Sequence, residues 1–363
     1  MPQALIAMSG GVDSSAAAYL MQQAGYDCLG AMMKLWDGAH APDAENESRY
    51  KPTRTCCSLE DAQDARSVAT RLGMPFYVFN YTEAFNAQVI EKFCAAYLAG
   101  LTPNPCLDCN KYMKFDLLLQ RGNLLGCSAL ATGHYARVER GGSRTLLRKA
   151  VDAHKDQSYV LYMLTQAQLA QTHFPLGDMT KAAVRDLAKE LGFWNAKKPD
   201  SQDICFVPDG DYGTMLERRG VHETHKHGDF IDADGNILGQ HNGQYRYTIG
   251  QRKGLGLAFD APRYVLAKDP AQNTVTLGRH EELARRDCTL RDINLIATAQ
   301  LDAPLRVRAR TRYHQAEFAA TVEQTDADTL RLHFDAPQYA IAPGQAAVLY
   351  DGDYVVGGGT IQG

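Results

Sequence analysis

Over the first 200 or so residues, short apolar runs alternate with stretches whose apolar positions recur every three or four residues. Ala4-Leu5-Ile6-Ala7-Met8 reads as a short buried strand, and Ser14 to Ala24 as an alanine-rich helix. Tyr26 to Met33 reads as a second strand. Ser58 caps a further helix, with Asp61 three residues on. That helix ends at Gly73, and Phe76-Tyr77-Val78-Phe79 follows as a third strand. Ala129 to Thr132 is another strand and runs into Gly133-His134. Thr180 caps a helix that continues to Leu191, and Lys155-Asp156-Gln157 opens a helical stretch. Such alternation predicts an α/β domain, a parallel sheet with helices on both faces. From about residue 228 glycine becomes frequent and strict alternation replaces helical spacing, which is all-β material. Lys268-Asp269-Pro270 looks like a joint within it. The expected organisation is an α/β domain over residues 1–208 and two smaller, mainly-β domains, 209–270 and 271–363, the last a barrel. Residues 37–55 are polar, carry Pro42 and Pro52 and match no period; they are expected to form a mobile loop near the mouth of the sheet.

At 363 residues the chain has room for two or three domains. Its 45% hydrophobic and 22% charged content is that of a soluble globular protein. No apolar run approaches the roughly 20 residues that span a bilayer. The first strand begins too early to leave room for a signal or transit peptide. Nine cysteines without a secretion signal suggest a reducing, cytoplasmic setting. The formal net charge of −4 does not by itself suggest a nucleic acid.

The most specific chemistry lies between the first strand and the first helix, in Ser9-Gly10-Gly11-Val12-Asp13-Ser14-Ser15. Glycines let backbone N–H groups face a ligand without a clashing Cβ. The helix N-terminus adds unsatisfied donors and the positive end of its dipole. This loop is built for an anion. It lacks the Gly-Lys-Ser/Thr of a nucleotide P-loop, so no lysine within it reaches a γ-phosphate. The arrangement suits the pyrophosphate portion of ATP in an enzyme that releases pyrophosphate whole and leaves AMP on its substrate.

Cys106 and Cys109 stand in Thr102-Pro103-Asn104-Pro105-Cys106-Leu107-Asp108-Cys109-Asn110-Lys111, a rigid, non-helical loop by its prolines and asparagines. A zinc site would need a second Cys or His pair, which the chain does not supply, so no zinc is expected. Cys205 lies in Ile204-Cys205-Phe206. Cys28, Cys94, Cys127 and Cys288 read as inert packing, and adjacent Cys56 and Cys57 receive no role. Further on, Arg306 to Tyr313 alternates strictly, which on a strand puts Arg306, Arg308, Arg310 and Arg312 on one face. Like charges side by side repel, so the stripe is expected to lie against an RNA backbone. Tyr245-Arg246-Tyr247 and Gln251-Arg252-Lys253 are weaker signals of the same kind.

The seven-residue loop, the Asn-Pro-Cys-x-x-Cys-Asn-Lys string and the Cys205 segment occur in that order. With them stand Met32-Met33-Lys34, Ala131-Thr132-Gly133-His134-Tyr135, Lys155-Asp156-Gln157, Gly250 to Leu255, Arg312-Tyr313 and Pro343-Gly344-Gln345. In these strings the chain closely resembles, over almost its full length, the tRNA-specific 2-thiouridylase family of PP-loop ATP pyrophosphatases. The resemblance implies ATP-dependent replacement of the 2-oxygen of the wobble uridine by sulfur, in tRNAs expected to be the Lys, Glu and Gln isoacceptors. It implies that ATP with Mg²⁺ adenylates uracil O2. A persulfide sulfur on Cys205, loaded by a sulfur-donor protein, would then displace AMP, with Cys109 as the partner cysteine. The two can pair as a disulfide. By the same resemblance Ala7, Met8, Ser9, Gly10, Gly11, Val12, Asp13, Ser14, Met33 and Gly133 would contact ATP. Asn104, Pro105 and Cys106 would approach the target base. His134, Lys155, Asp156, Gln157, Arg312, Tyr313 and Gln345 would touch tRNA, beside Arg308 and Arg310 of the stripe.

One position departs from part of the family. Some members carry Asp where this chain has Cys106, and there the carboxylate is proposed as an acid/base; a thiol cannot be assumed to do that work. Cys106, Cys109 and Cys205 could instead hold a [4Fe-4S] cluster by three ligands, with one iron open to sulfide. Persulfide chemistry is the expected course and the cluster its alternative. Two further readings remain. Another adenylating synthetase or amidotransferase with this loop would leave the cysteines idle, and a non-enzymatic RNA-binding protein would leave the loop idle.

Overall fold

The computed structural model describes residues 1–36, 58–199, 204–207, 210–220 and 227–363. The expected loop over 37–55, together with Cys56 and Cys57, lies outside the described residues.

The N-terminal strands are β1 (Gln3–Ala7), β2 (Asp27–Lys34), β3 (Phe76–Asn80), β4 (Ala129–Thr132), β5 (Arg137–Glu139), β6 (Leu146–Arg148) and β7 (Thr172–His173). Five of them form an all-parallel sheet in the order β3-β2-β1-β4-β7. Alternation along β1 explains its position at the centre. Ala4 and Ile6 join a core with the alanines of helix α1 (Val12–Gln23), while Leu5 joins a second core with Phe115, Leu118 and Leu130 on the other face. Helix α1 begins two residues before the expected Ser14, because Gly11 already takes the extended N-cap conformation. Helix α2 (Leu59–Arg71) carries the expected capping box of Ser58 and Asp61. Thr180 caps the helix Lys181–Glu190 as expected. The helical stretch expected from Lys155 is a single 3₁₀ turn, Ser158–Leu161, because Asp156 accepts from the Ser158 N–H and hydroxyl and holds a turn instead.

The middle of the chain folds into a four-stranded sheet of β8 (Gly228–Ile231), β9 (Ile237–His241), β10 (Tyr264–Asp269) and β11 (Thr274–Gly278), ordered β10-β11-β8-β9. The joint expected at Lys268-Asp269-Pro270 is therefore a hairpin turn: Asp269 pairs with Thr274, and the sheet continues to Gly278. An Asp-Pro next to a polar run marks a turn, and a turn inside a sheet looks the same in sequence as one between domains.

The remaining strands are β12 (Ala284–Leu295), β13 (Leu305–Arg310), β14 (Phe318–Asp326), β15 (Thr329–Tyr339), β16 (Ala346–Asp351) and β17 (Tyr354–Ile361). They close into a six-stranded antiparallel barrel through β12–β17 pairing. Leu290, Val307, Ala309, Val322, Leu332, Phe334 and Leu349 fill its interior. The barrel sheet does not begin at residue 271. Arg148 of β6 pairs with Tyr354 of β17, so the β5–β6 hairpin of the first domain extends it. The second core of the α/β domain runs on into Ile296, Ala346, Val348 and Tyr350 on the barrel's outer side.

Candidate active site

In an open parallel sheet, ligands bind beyond the carboxyl ends of the strands where the order reverses. Here β1 leads outward through β2 and β3, and the chain returns to β4 on β1's other side. The Ser9–Ser15 loop leaves β1 at this point and Gly133 leaves β4 beside it. A Cβ on Gly133 would lie 2.8 Å from both the Asp13 carbonyl carbon and the Ser14 nitrogen, so only glycine allows this approach. Gly10 has φ +73°, and a Cβ there would lie 2.4 Å from the Asp61 carbonyl oxygen of α2. The Ser14 and Ser15 hydroxyls each donate to the Gly11 carbonyl at 3.0 Å, and the Ser9 N–H donates to Ser14 Oγ at 3.2 Å. Ala7, Met8 and Val12 flank the loop at the end of β1 and the start of α1, and Met33 is the last residue but one of β2, the strand beside β1.

Asp13 is held by groups that sequence reasoning did not assign. Lys181 Nζ donates to both its carboxylate oxygens, at 2.8 and 2.7 Å, and the Tyr135 hydroxyl donates to Oδ1 at 2.8 Å. Tyr135 is itself bracketed by Gln157: the Tyr135 N–H donates to Gln157 Oε1, and the Gln157 N–H to the Tyr135 carbonyl. The lysine missing from the loop thus arrives from another helix. Its sequence signal was its place, since a cation in the first turn of the helix Lys181–Glu190 opposes the dipole there.

The cysteines lie on two segments 96 positions apart (205 − 109). The segment expected as a non-helical loop is helical from Pro105 on: Asn104 is an N-cap whose side chain accepts from the Cys106 N–H, Pro105 takes the first helical position where its missing N–H costs nothing, and Cys109 opens a π-helical stretch to Leu118. π-Helical turns of this kind cluster at functional sites. Cys109 and Cys205 pack against one apolar cluster that includes Phe85, Phe93, Met113 and Phe206. The fold thus brings the two expected catalytic cysteines to one region, and no disulfide joins them. Cys106, three residues before Cys109 in the same helical run, is exposed. The protein around it pushes its thiol up, with Lys114 opposing. Among the described residues no three Cys, His, Asp or Glu side chains converge as a metal site.

His134 is buried beside Phe115 and Phe174, and its Nδ1 lies 2.7 Å from Thr132 Oγ1. Its Nε2 faces Lys114 Nζ at 3.5 Å. An ammonium can only donate, so Nε2 is the acceptor and the proton of the neutral ring sits on Nδ1. Burial, then the Lys114 charge, holds the ring well below the ordinary 6.5. His173 is lowered to about 4, by burial and then by Arg140. The unfolded chain protonates both rings below about pH 6.5 and the folded one does not, so stability is full above that pH and falls below it. The expected slope is up to about 1.4 kcal/mol per pH unit for each ring, ending near pH 4 for His173. Melting temperatures from pH 8 to 5 check this: a plateau above 7 and a decline below 6.5 are expected.

Several residues expected at tRNA make bonds within the chain. The Gln345 amide donates to the Thr102 carbonyl at 2.8 Å, tying the barrel to the cysteine loop. Arg312 lies past the end of β13 and donates to the Ile249 and Ala340 carbonyls, both at 2.9 Å. Arg310 turns inward to Glu317 at 2.9 Å and Asp156 at 3.7 Å. Tyr313 packs at 5.7 Å from Tyr159. Lys155 is half-buried beside buried Asp156. The stripe is not the single-sign surface expected. Val307 and Ala309 lie on the opposite face, in the barrel interior, but Asp335 and Glu317 from later segments stand opposite the arginines. Only Arg306 and Arg308, at 62% and 56%, present their side chains to solvent. One strand's pattern cannot show what its cross-strand neighbours supply.

A family model described as "tRNA methyl transferase HUP domain" matches residues 3–209, more than half the chain. The matching PRC-barrel domain covers 219–279, and an "Aminomethyltransferase beta-barrel domain" covers 285–361. Relatives named tRNA-specific 2-thiouridylase MnmA match end to end. That of Clostridioides difficile is 47% identical over 99% of this chain and 97% of its own length. Those of Moorella thermoacetica and Acetivibrio thermocellus are 48% and 46% identical, again over 99% of this chain, and 99% and 98% of their own. The chain belongs to the tRNA-specific 2-thiouridylase family. The words "methyl transferase" in the domain descriptions thus sit beside full-length 2-thiouridylase relatives named for thiolation. In this 2-thiouridylase fold, Lys181, Tyr135 and Lys114 are the site residues that sequence reasoning left without a role.

Proposed function

We propose that the protein is an ATP-dependent tRNA sulfurtransferase that thiolates the wobble uridine at C2. The observation that supports this is an anion-binding loop at the sheet's switch point together with two cysteines on one hydrophobic cluster, which also takes in Met33 and Leu35 near the end of β2. ATP enters with Mg²⁺ as substrate, its phosphates over the Ser9–Ser15 loop and its adenosine toward Met33 and Gly133. Uracil O2 attacks the α-phosphate and pyrophosphate leaves. Adenylation is needed because a carbonyl oxygen is a poor leaving group and AMP a good one. The terminal sulfur of a Cys205 persulfide then attacks C2, and the C2–O bond to AMP breaks. The base is now joined to Cys205 through an S–S bond. The Cys109 thiolate attacks Cys205 Sγ, leaving the outer sulfur on C2 as the thiocarbonyl and forming a Cys109–Cys205 disulfide. An external dithiol reduces that disulfide, and a persulfide donor protein reloads Cys205. Asn104, Pro105 and Cys106 face the target base, which leaves its stack to reach the sheet edge. The expected tRNAs are the Lys, Glu and Gln isoacceptors. Among the described residues no helix is long and apolar enough to cross a membrane, and a cytoplasmic setting suits this thiol chemistry.

The test is direct. Protein, ATP, Mg²⁺, a persulfide source and tRNA are incubated, and 2-thiouridine is measured by nucleoside mass spectrometry. Formation that needs both ATP and tRNA supports the reading; pyrophosphate release with an amino donor and no tRNA overturns it.

The stripe gives a sharper test of tRNA contact. Arg308→Ala removes an exposed charge and is expected to lower the salt slope of tRNA binding by about 1. Arg310→Ala removes a side chain only 16% exposed and takes the guanidinium from buried Asp156, while Glu317 keeps Lys149 at 2.7 Å, so its main effect is a lower melting temperature. Equal salt slopes in Arg308→Ala and wild type would count against contact there.

A further inference from the structure

The chain that leads into Cys205 is fastened to the nucleotide loop. The 3₁₀ turn Trp194–Lys197 places Asn195, 1% exposed, under the loop. Its Nδ2 donates to the Gly10 carbonyl and to Ser15 Oγ, both at 3.0 Å. Three residues later Lys198 Nζ donates to Asp61 Oδ1 at 2.5 Å and Asp64 Oδ2 at 2.7 Å. Both carboxylates belong to α2, and the Asp61 backbone is what Gly10 packs against. Asp64 is 1% exposed, and its Oδ1 has no partner among the described residues, so the Lys198 charge is what offsets it. Burial draws the Lys198 ammonium down, but its bonds and charges with Asp61 and Asp64 outweigh that and hold it above the ordinary value. Seven positions after Lys198 comes Cys205. On its far side Phe206 and Val207 are buried, and Phe206 packs edge-on against Phe85 and Phe93 at 5.7 and 5.3 Å. Cys205 therefore lies between two anchors, one on the nucleotide loop and α2, the other in the cluster that also holds Cys109.

We infer that Asn195 and Lys198 are positioning residues for sulfur delivery, fixing the chain before Cys205 to the loop that holds ATP. This rests on Cys205 as the sulfur carrier. Adenylation uses the loop but not Cys205, whereas sulfur attack needs Cys205 held within bonding reach of the adenylated base. Intramolecular reactions owe much of their rate to such placement. With the upstream anchor gone, Cys205 loses its tie to the nucleotide loop, and the two half-reactions separate.

Lys198→Met is the first variant. In single turnover with preloaded persulfide, 2-thiouridine formation is expected to fall at least about tenfold, while tRNA-dependent pyrophosphate release stays within about threefold of wild type. Diamide-driven formation of the Cys109–Cys205 disulfide, followed by peptide mass mapping, is expected to slow by a similar factor. Lys198→Arg, which can still bridge both carboxylates, is expected to restore most of the loss. Lys198→Met also strands Asp64, so Asp61→Asn/Asp64→Asn/Lys198→Met removes the buried charges together and serves if the single variant does not fold. Parallel loss of adenylation and sulfur transfer, or no change in either, overturns the inference. Cys205→Ser separates the two levels: if it thiolates normally, the sulfur-carrier reading itself has failed.

Discussion

Cys205→Ser is expected to lower 2-thiouridine formation by about 10³-fold or more, while tRNA-dependent pyrophosphate release continues. A serine hydroxyl cannot carry a sulfane sulfur, but nothing in the nucleotide loop touches Cys205's role in the second half-reaction. Cys109→Ser is expected to fail differently. The persulfide still attacks C2, so AMP leaves, but nothing resolves the S–S bond that now joins base to protein. A covalent protein–tRNA adduct should therefore accumulate on non-reducing gels, and dithiothreitol should release 2-thiouridine from it. The neutral thiol is weakly nucleophilic, so the resolving step should also slow as pH falls below the thiol's range. The shared cluster of Cys109 and Cys205 is the structural ground for both outcomes. Full activity in either variant would remove that cysteine from the mechanism.

Gly133→Ala is expected to cut ATP-dependent pyrophosphate release by about 10²-fold, because displacing a reacting group by even about 1 Å costs that much. The added Cβ would lie 2.8 Å from two backbone atoms of the Asp13–Ser14 step, and backbone in the first turn of α1 cannot swing aside as a flexible side chain can. The loop must open or β4 must shift. The overpacking should also cost about 1–3 kcal/mol of stability, read as a lower melting temperature. Gly10→Ala should act alike for a different reason: its φ of +73° disfavours alanine, and its Cβ would strike Asp61 of α2. Pyrophosphate release within threefold of wild type in a folded Gly133→Ala protein would place the nucleotide elsewhere.

Much of the site was legible because its parts are local. A strand, two glycines and a helix start are neighbours in sequence, so Ser9–Ser15 announces an anion loop without tertiary help. The capping pair Ser58 and Asp61 and the cap Thr180 are likewise local, and each appears where expected. Where the reading missed, the deciding partner was distant. Lys181 reaches Asp13 across 168 positions, and Asn195 reaches Gly10 across 185. Arg306 to Arg312 looked like one positive face because Glu317 comes from the loop before β14 and Asp335 from β15. Asp269-Pro270 looked like a boundary because a turn's chemistry does not say what its flanking strands pair with.

The sequence alone determined the α/β order, the glycine-rich anion loop, the cysteine motifs and the family, since short-range propensity and ordered motifs specify these. Only the tertiary structure decided which charges neutralise Asp13 and the arginine strand. It alone joined the Cys205 chain to the nucleotide loop and brought Cys109 into the same apolar cluster. Those outcomes depend on which surfaces are buried against each other, and burial is a property of the packed chain rather than of any segment.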